Sequence, residues 1–555
     1  MATILFLNNT QVYPDGNQTI KLTRENPYFT QSDSYTLDVT LPMDILQNRR
    51  FFQNLHRQDR SKLPPNYTCR LLVDNRPVLV GTATVTQVTQ LAVKVQLLGG
   101  KSEINFLAKD GGAYLDEMDI GSGMVTYDSE THISTHITTE GVRFWPGGVF
   151  DETVERVEQT HWLCLVDLVK FVITKAGFTI TKCDIDKAPW DCIYICSAAC
   201  TYLNNMEKIL PHWLTSEFIT EACRFFNVTV IASMLDKTAQ IVSNKTFFPE
   251  AELQTLEPVD EYTAEITSDL SSTSLPLANA NISFSMSGSS HHDYDCLDEN
   301  IREVMKRREY DSYNAAYSEW ENMATDVRRQ YAFCTPEGMY ASWVTYNDEG
   351  EETDEDFVQI DMFAPLVRDD SSDNYTELKI VPVAINDEKG RKYGGGDVVN
   401  RPTPSMENPA GNFTQAFWDD EESETHTLQE YITGEASTEK SEKEDRMQVC
   451  FLENTHVRNV FTDQHYKKDT TPYQSWSLSL NTIDRTHYLG QLHQNGFSFN
   501  IKAKHTFRFL ADTMPDPTHV YIIRGKKYGC EKIEASVDAD GFDRLMTGYF
   551  YEMLS

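Results

Sequence analysis

A chain of 555 residues carrying 84 acidic against 49 basic side chains, a formal charge of −35, repels nucleic-acid phosphate, so specific DNA or RNA binding is disfavoured. Its 40% hydrophobic and 11% aromatic content excludes a disordered scaffold, and a length prior gives about three to four domains. No apolar run approaches a membrane span.

The first residues, Met1 to Asn8, have no basic region ahead of a short apolar stretch, and Asn8-Asn9 ends that stretch. They read as a first strand and not as an export signal. Synthesis in a cytoplasm is therefore expected, with the 11 cysteines reduced and sequons such as Asn66-Tyr67-Thr68 unmodified. Residues 1–150 form an N-terminal β module, a small barrel or sandwich. Pro14-Asp15-Gly16-Asn17 and Asp74-Asn75-Arg76-Pro77 are turns, and Val78 to Leu98 alternates long enough for one bent strand or two paired ones.

From His161 the period changes. Trp162, Leu165, Val166, Val169, Val172, Ile173 and Ala176 recur at helical spacing, with Gly177 where a helix-ending residue belongs. Phe178-Thr179-Ile180 returns to strand. A second unit repeats the plan: Thr215 caps a helix, Leu214 and Ile219 form its staple, and Phe218, Ala222, Phe225 and Phe226 make its buried stripe. The strand Thr229–Ala232, the turn Asp236-Lys237 and the strand Thr238–Val242 follow as a hairpin. Residues 151–255 thus read as an α+β insert domain between β modules.

Residues 256–345 are a linker and a helical segment. Between Leu297 and Tyr331, Ile301, Val304, Met305, Tyr313, Tyr317, Trp320, Met323 and Val327 fit one long or two shorter helices with a thin apolar stripe, suited equally to a neighbouring subunit or to its own domain. Residues 346–470 are an acidic loop-rich β region. Asp348 to Asp356 holds seven acids in nine positions. With Asp419 to Glu424, Glu435 to Asp445, Gly394-Gly395-Gly396 and Pro402-Thr403-Pro404, it reads as flexible, solvated loops around a β piece at Leu378 to Val383.

Residues 471–555 form a C-terminal β module. Phe497, Phe499, Ile501 and Ala503 alternate as in a half-buried strand, and Asn495-Gly496 suits a tight turn pairing Tyr488–Leu492 with Phe497–Ala503. Val520-Tyr521-Ile522-Ile523 turns at Gly525-Lys526-Lys527 into Tyr528 to Glu534, which turns again at Asp538-Ala539-Asp540-Gly541. In the last strand Leu545, Thr547, Tyr549, Tyr551 and Met553 share one face, and Met546, Gly548, Phe550 and Glu552 the other. Both faces are expected to be covered. The fold class is α+β, predominantly β.

Chemistry-bearing patterns are few. Cys192, Cys196 and Cys200, spaced by four, could present three thiols on a helical face to a metal, but Ile193-Tyr194-Ile195 reads as a strand or core segment and zinc knuckles use closer pairs. His291-His292-Asp293 lacks a partner at ligand spacing. The acidic runs lack the glycine and terminal Glu of a calcium loop, and Gly394 to Gly396 lacks the setting of a phosphate cradle. No nucleophile elbow or carboxylate pair stands out. The expectation is no enzyme, no catalytic or metal residues and no cofactor.

Two strings carry a family likeness. Ile523-Arg524-Gly525-Lys526-Lys527-Tyr528-Gly529-Cys530-Glu531-Lys532-Ile533-Glu534, followed by Met546 to Glu552, resembles the C-terminus of tail and baseplate hub proteins from phages and prophages of Bacteroides-type bacteria. Leu63 to Asp74, then Val78 to Ala83, resembles the N-terminal module of that group, and Ala176-Gly177-Phe178 and Phe225-Phe226-Asn227 match its helix ends loosely. The resemblance covers both ends and part of the centre, leaving roughly residues 260 to 470 outside it. It implies tube-like β-barrel or sandwich modules at both ends that pair in a ring, with the α+β domain projecting outward. It further implies a structural hub in the virion, a homo-oligomer expected to be a trimer, assembled in the bacterial cytoplasm and joining tail tube to tail-tip or spike proteins for genome ejection. The acidic surface would suit a conduit for DNA, or simply solubility. The alternatives are the hub of a phage-derived contractile injection system, whose cargo would be protein, and a tail-tip adaptor gripping host glycans. A cell-wall hydrolase is least favoured.

Overall fold

The computed structural model describes residues 3–30, 34–36, 38–53, 55, 66–99, 114–128, 133–151, 156–195, 206–233, 235–260, 262–266, 276–285, 306–335, 338–346, 352–360, 365–368, 375–382, 385–386, 392–393, 397–398, 403–404, 447–451, 476–480 and 487–554. The N-terminal strands are β1 (Thr3–Leu7), β2 (Thr10–Val12), β3 (Ile20–Glu25), β4 (Ser34–Thr36), β5 (Val39–Pro42), β6 (Tyr67–Val73), β7 (Arg76–Val88) and β8 (Ala92–Gly99), with helix α1 (Leu46–Phe52) before β6. Asn8 and Asn9, then Asp74 and Asn75, adopt positive φ between β1 and β2 and between β6 and β7, the conformation of a two-residue hairpin turn. The alternating Val78–Leu98 stretch resolves into two paired strands, with Val85 opposite Val95.

The middle of the chain contributes β9 (Gly123–Asp128), β10 (Ile133–Thr138), β11 (Phe144–Asp151), β12 (Arg156–Cys164), α2 (Leu165–Lys175), β13 (Thr179–Cys183), β14 (Ile193–Ile195), α3 (Thr215–Phe226), β15 (Val228–Ser233), β16 (Thr238–Ser243) and α4 (Asn244–Phe247). The first helix starts four residues later than its spacing predicts. His161 and Trp162 instead end strand β12, where pairing with β11 places Trp162 opposite Trp145. Thr215 is already helical, and Leu214 stands at the cap without a side-chain bond. Both helix ends follow expectation: Gly177 has φ 89°, and Asn227 closes α3 in the left-handed region.

Next come β17 (Leu253–Thr255), β18 (Thr263–Ile266), β19 (Asn281–Phe284), β20 (Lys306–Glu309), α5 (Tyr313–Asn322), α6 (Thr325–Arg328), β21 (Tyr331–Thr335), β22 (Gly338–Tyr346), β23 (Glu352–Ile360), β24 (Tyr375–Leu378), β25 (Ile380–Pro382), β26 (Ile385–Asn386), β27 (Lys392–Tyr393), β28 (Asp397–Val398), β29 (Thr403–Pro404) and β30 (Met447–Phe451). The helical segment is therefore two short helices, preceded by a strand at Lys306–Glu309; Ile301, Val304 and Met305 lie outside the described residues. Of the thin stripe, Trp320 is buried in its own unit and its indole donates to Ser342 Oγ at 2.7 Å, whereas Tyr313, Tyr317 and Val327 stay exposed. The acidic run is a correction too. Glu352 to Asp356 belongs to β23, paired along β22, because Arg328 and Arg329 take up Glu352 and Glu355 at 2.6 to 3.3 Å.

The chain continues through β31 (Trp476–Ser477), β32 (His487–Tyr488), α7 (Gly490–His493), β33 (Ser498–Leu510), β34 (Val520–Ile523), β35 (Lys526–Asp538), β36 (Gly541–Phe542) and β37 (Leu545–Leu554). The hairpin expected at Asn495-Gly496 does not form: neither residue has positive φ, Gly490 to His493 is a helical turn, and β33 pairs with β18 and β37. The turns at Arg524-Gly525 and Asp538–Gly541 do form. In β37 only Met546, Gly548 and Phe550 are buried; Thr547, Tyr549, Tyr551 and Met553 are half-buried and Leu545 is exposed, so one face is covered and not both.

These strands build a large sheet ordered β18-β33-β37-β35-β3-β4-β8-β7-β6-β1-β2, an open path among the described strands, with β5, β17, β34 and β36 attached off it. Its centre is the antiparallel pairing of β3 with β35, from Ile20 opposite Val537 to Glu25 opposite Lys532. The two chain ends are thus one sheet, and they share one core in which Leu5, Leu71 and Val95 join Phe507, Ile533 and Phe550. The sheet curls so that its N-terminal side reaches back to the end of β35: the Thr3 hydroxyl donates to the Asp538 carbonyl, and Gly541 lies against Asp74. Buried Asn26 locks the seam. Its amide donates to the carbonyls of Pro517 and Cys530 at 2.9 and 3.0 Å, and its Oδ1 accepts from Tyr28 N.

The second body packs α2 and α3 with the sheets β11-β12-β14-β30-β25 and β13-β16-β15 around Trp162, Phe178, Phe218, Phe225, Ile241 and Val449. An aromatic joint connects it to the large sheet: Tyr28, Phe29, Phe248 and Phe499 meet at centroid distances of 4.8 to 6.0 Å, mostly edge to face. Asn26→Ala strands two carbonyls and an N–H in the buried seam and is expected to lower unfolding stability by about 3 kcal/mol in urea titrations. Asn17→Ala, on an exposed turn, serves as the control and should change it by less than about 0.5 kcal/mol.

Candidate assembly surface

An edge strand exposes unpaired backbone groups, so a sheet with two open margins presents two templates for another chain. Among the described strands one margin is β18, and the other is β2. At the first, Ile266 is 82% exposed, and Tyr262 lies on His505 and Phe507 under the Arg524 guanidinium. Leu510 and Leu545, paired across β33 and β37, are exposed at the other end of those strands. At the second, Tyr13 and Leu46 are exposed beside β2. Both edge strands are short, which limits unspecific pairing, and apolar side chains stand where a partner would seat.

The outer face of β33, β37 and β35 is charged but balanced. Lys504 meets Glu531 and Lys532 meets Glu534 at 2.5 and 2.8 Å, and both ammonium groups lie within 6 Å of the Tyr549 ring.

Several interior titratable groups are paired with neighbouring side chains. Arg143 grips Asp167 through its side chain at 2.6 and 3.2 Å and its backbone N–H at 3.1 Å, tying β11 to α2. Burial would raise the Asp167 carboxyl, but these donors and Lys170 outweigh it and hold the group below its ordinary value. Burial pushes the neighbouring Cys164 thiol up to about 12, leaving it protonated at neutral pH. Asp116, fully buried, bonds His212 Nδ1 at 2.9 Å, and that ring stacks on Tyr114 at 3.7 Å. Sequence reasoning missed this pair because its members lie 96 residues apart. A fold alone brings them together.

Of the three-cysteine pattern, Cys192 is buried against the Asp191 carboxylate, directly before strand β14, while Cys196 and Cys200 lie outside the described residues. His291-His292-Asp293, Gly394 to Gly396, Asp419 to Glu424 and Glu435 to Asp445 lie outside them too. Among the described residues no three His, Cys, Asp or Glu side chains are grouped to hold a metal ion, and no helix is long and apolar enough to cross a membrane. Cys164, Cys183, Cys450 and Cys530 carry thiols outside any disulfide.

No protein-family model matches the sequence, and no curated protein does. Among solved structures, the chain aligns with the 43 kDa tail protein of prophage MuSo2 from Shewanella oneidensis at 7% identity and TM-score 0.32, covering 99% of this chain and 97% of that one. It aligns likewise with the tail protein of Neisseria meningitidis MC58 at 7% identity and TM-score 0.33, covering 99% and 96%.

Acid is expected to act on the second body. His136 on β10 is buried with neither ring nitrogen bonded, and burial pulls its pKa down to about 4 from the ordinary 6.5. The folded state therefore favours the neutral ring: its contribution is whole above pH 6.5 and drains as pH falls toward 4, by up to about 3 kcal/mol. Melting curves between pH 7.5 and 4.5 should fall less steeply for His136→Phe than for the wild-type chain.

Proposed function

We propose that the chain is a structural component of a phage tail, acting as a hub that assembles about the tail axis and links tube to tip. The observation carrying this reading is the β3–β35 seam, because the two terminal segments that bear the family resemblance lie in one continuous, open-margined sheet. A single chain whose sheet ends in two different edges suits head-to-tail contacts, which close into a ring when the rotation permits. The role is mechanical and non-enzymatic: the hub closes the conduit, seats the tip and opens on attachment. Three copies about the axis are proposed, with tube and tip or spike proteins as partners in the virion.

The hub of a contractile injection system is the same reading with protein as cargo. A glycan-gripping adaptor fits less well, since Trp162, Trp213 and Trp320 are buried and supply no stacking platform.

Light scattering of the purified chain should give the mass of a trimer, and electron microscopy with its tube protein should show rings at tube ends. Ile266→Lys, at the exposed margin, is expected to weaken self-association at least tenfold while moving the melting temperature by no more than a few degrees. A chain that stays monomeric at every concentration, with the tube protein present, overturns the proposal.

A further inference from the structure

The joint between the two bodies contains a histidine with an unusual position. The chain leaves the α+β core along α7, directly after Leu489 of that core, and five residues after His493 it enters β33 of the large sheet. Gly490 makes this path possible, because a Cβ there would sit 1.7 Å from the Leu480 carbonyl oxygen. His493 is 0% exposed, and its Nε2 lies 3.0 Å from the Phe225 carbonyl at the end of α3. A carbonyl only accepts, so Nε2 carries the proton and the unpartnered, buried Nδ1 is the site a second proton would take.

Around it the joint is held by neutral bonds and one cation. The Arg368 guanidinium donates to the His493 carbonyl and, at 3.1 Å, to the Ala280 carbonyl; Asn227 Nδ2 donates to the Leu492 carbonyl at 2.7 Å. The surrounding elements carry further titratable groups: Cys223 and the mutually paired Glu221 and Arg224 on α3, Lys245 on α4, and Tyr488 on β32, whose hydroxyl accepts from Gln494. Among the described residues only Arg368 acts on the ring by charge, and it opposes a second positive charge there. No carboxylate of the described residues is paired with His493.

We propose that His493 is a proton-operated latch between the two bodies: neutral, it bonds α3 to the segment entering β33, and protonated, it expels that segment from the joint while each body keeps its own core. Burial, with Arg368 adding to it, pulls its pKa down to about 4, so the folded state favours the neutral ring and the latch weakens as pH falls from 6.5 toward 4. The inference does not depend on assembly about an axis, and a monomeric chain would leave it standing.

Hydrogen–deuterium exchange of the full chain, corrected for intrinsic rates, tests it at pH 7.5 and 4.5. Peptides covering 488–497 should lose protection by roughly fifty- to a hundredfold at the lower pH, while the seam strand Lys526–Asp538 keeps its protection. His493→Gln retains a donor toward Phe225 and cannot charge, so its 488–497 peptides should stay protected at pH 4.5; His493→Asn replaces it should that variant not fold. His136→Phe, remote from the joint in sequence, should leave the local loss unchanged. Equal protection of wild-type 488–497 at both pH values, loss in the glutamine variant as large as in wild type, or simultaneous loss across Lys526–Asp538 would each overturn the latch.

Discussion

Everything in this molecule depends on one backbone ladder, the pairing of β3 with β35. It joins residues more than five hundred positions apart, so forming it closes almost the whole chain into a loop, at an entropic cost that grows only slowly with length. What offsets that cost is the shared core beneath, where Leu22, Ile533, Val537 and Phe550 lose nearly all contact with water. Asn26 then satisfies the carbonyls of Pro517 and Cys530 beside the ladder, which would otherwise be buried unpaired.

Given that seam, most of the chain between β8 and β33 hangs on it as an outgrowth, while β17 and β18 return to the large sheet. The outgrowth has its own core, and it meets the sheet through rings: Tyr28 and Phe29 from the N-terminal side, Phe247 and Phe248 from α4, Phe497 and Phe499 from the start of β33. Edge-to-face rings interlock more directionally than aliphatic side chains, so this contact sets an orientation as well as an attraction. Polar bonds at His493, Arg368 and Asn227 join the same connection, and the one at His493 depends on the protonation of its ring in a way the aromatic contacts do not.

The net charge of −35 has less to do with folding than its size suggests. Some acidic residues in ordered elements are spent in pairs, as with Glu355 between Arg328 and Arg329, whose donors overcome burial and hold its carboxyl down to about 2. Such pairing let an acidic stretch become strand β23, against the expectation of a loop. Composition reports the sum of charge, whereas strand formation depends on whether two arginines at the end of α6, Arg328 and its cap Arg329, arrive beside it.

Local pattern by itself determined much here. The predominantly β character, the bodies of α2 and α3, the α2 end at Gly177 and the turns before β35 and β36 were legible, because turn chemistry and hydrophobic period act over a few residues, whereas the alternation of Val78–Leu98 fitted one bent strand as well as the β7–β8 pair. The resemblance of the two ends implied that they work together. Only the tertiary structure decided the start of α2 after Cys164, the helical turn in place of a hairpin at residues 490–496, the one-sided burial of β37, and the buried partners Asp116–His212 and His493–Phe225. Each of these turns on contacts between segments far apart in the chain, and the free energy of such a contact is written in neither segment alone.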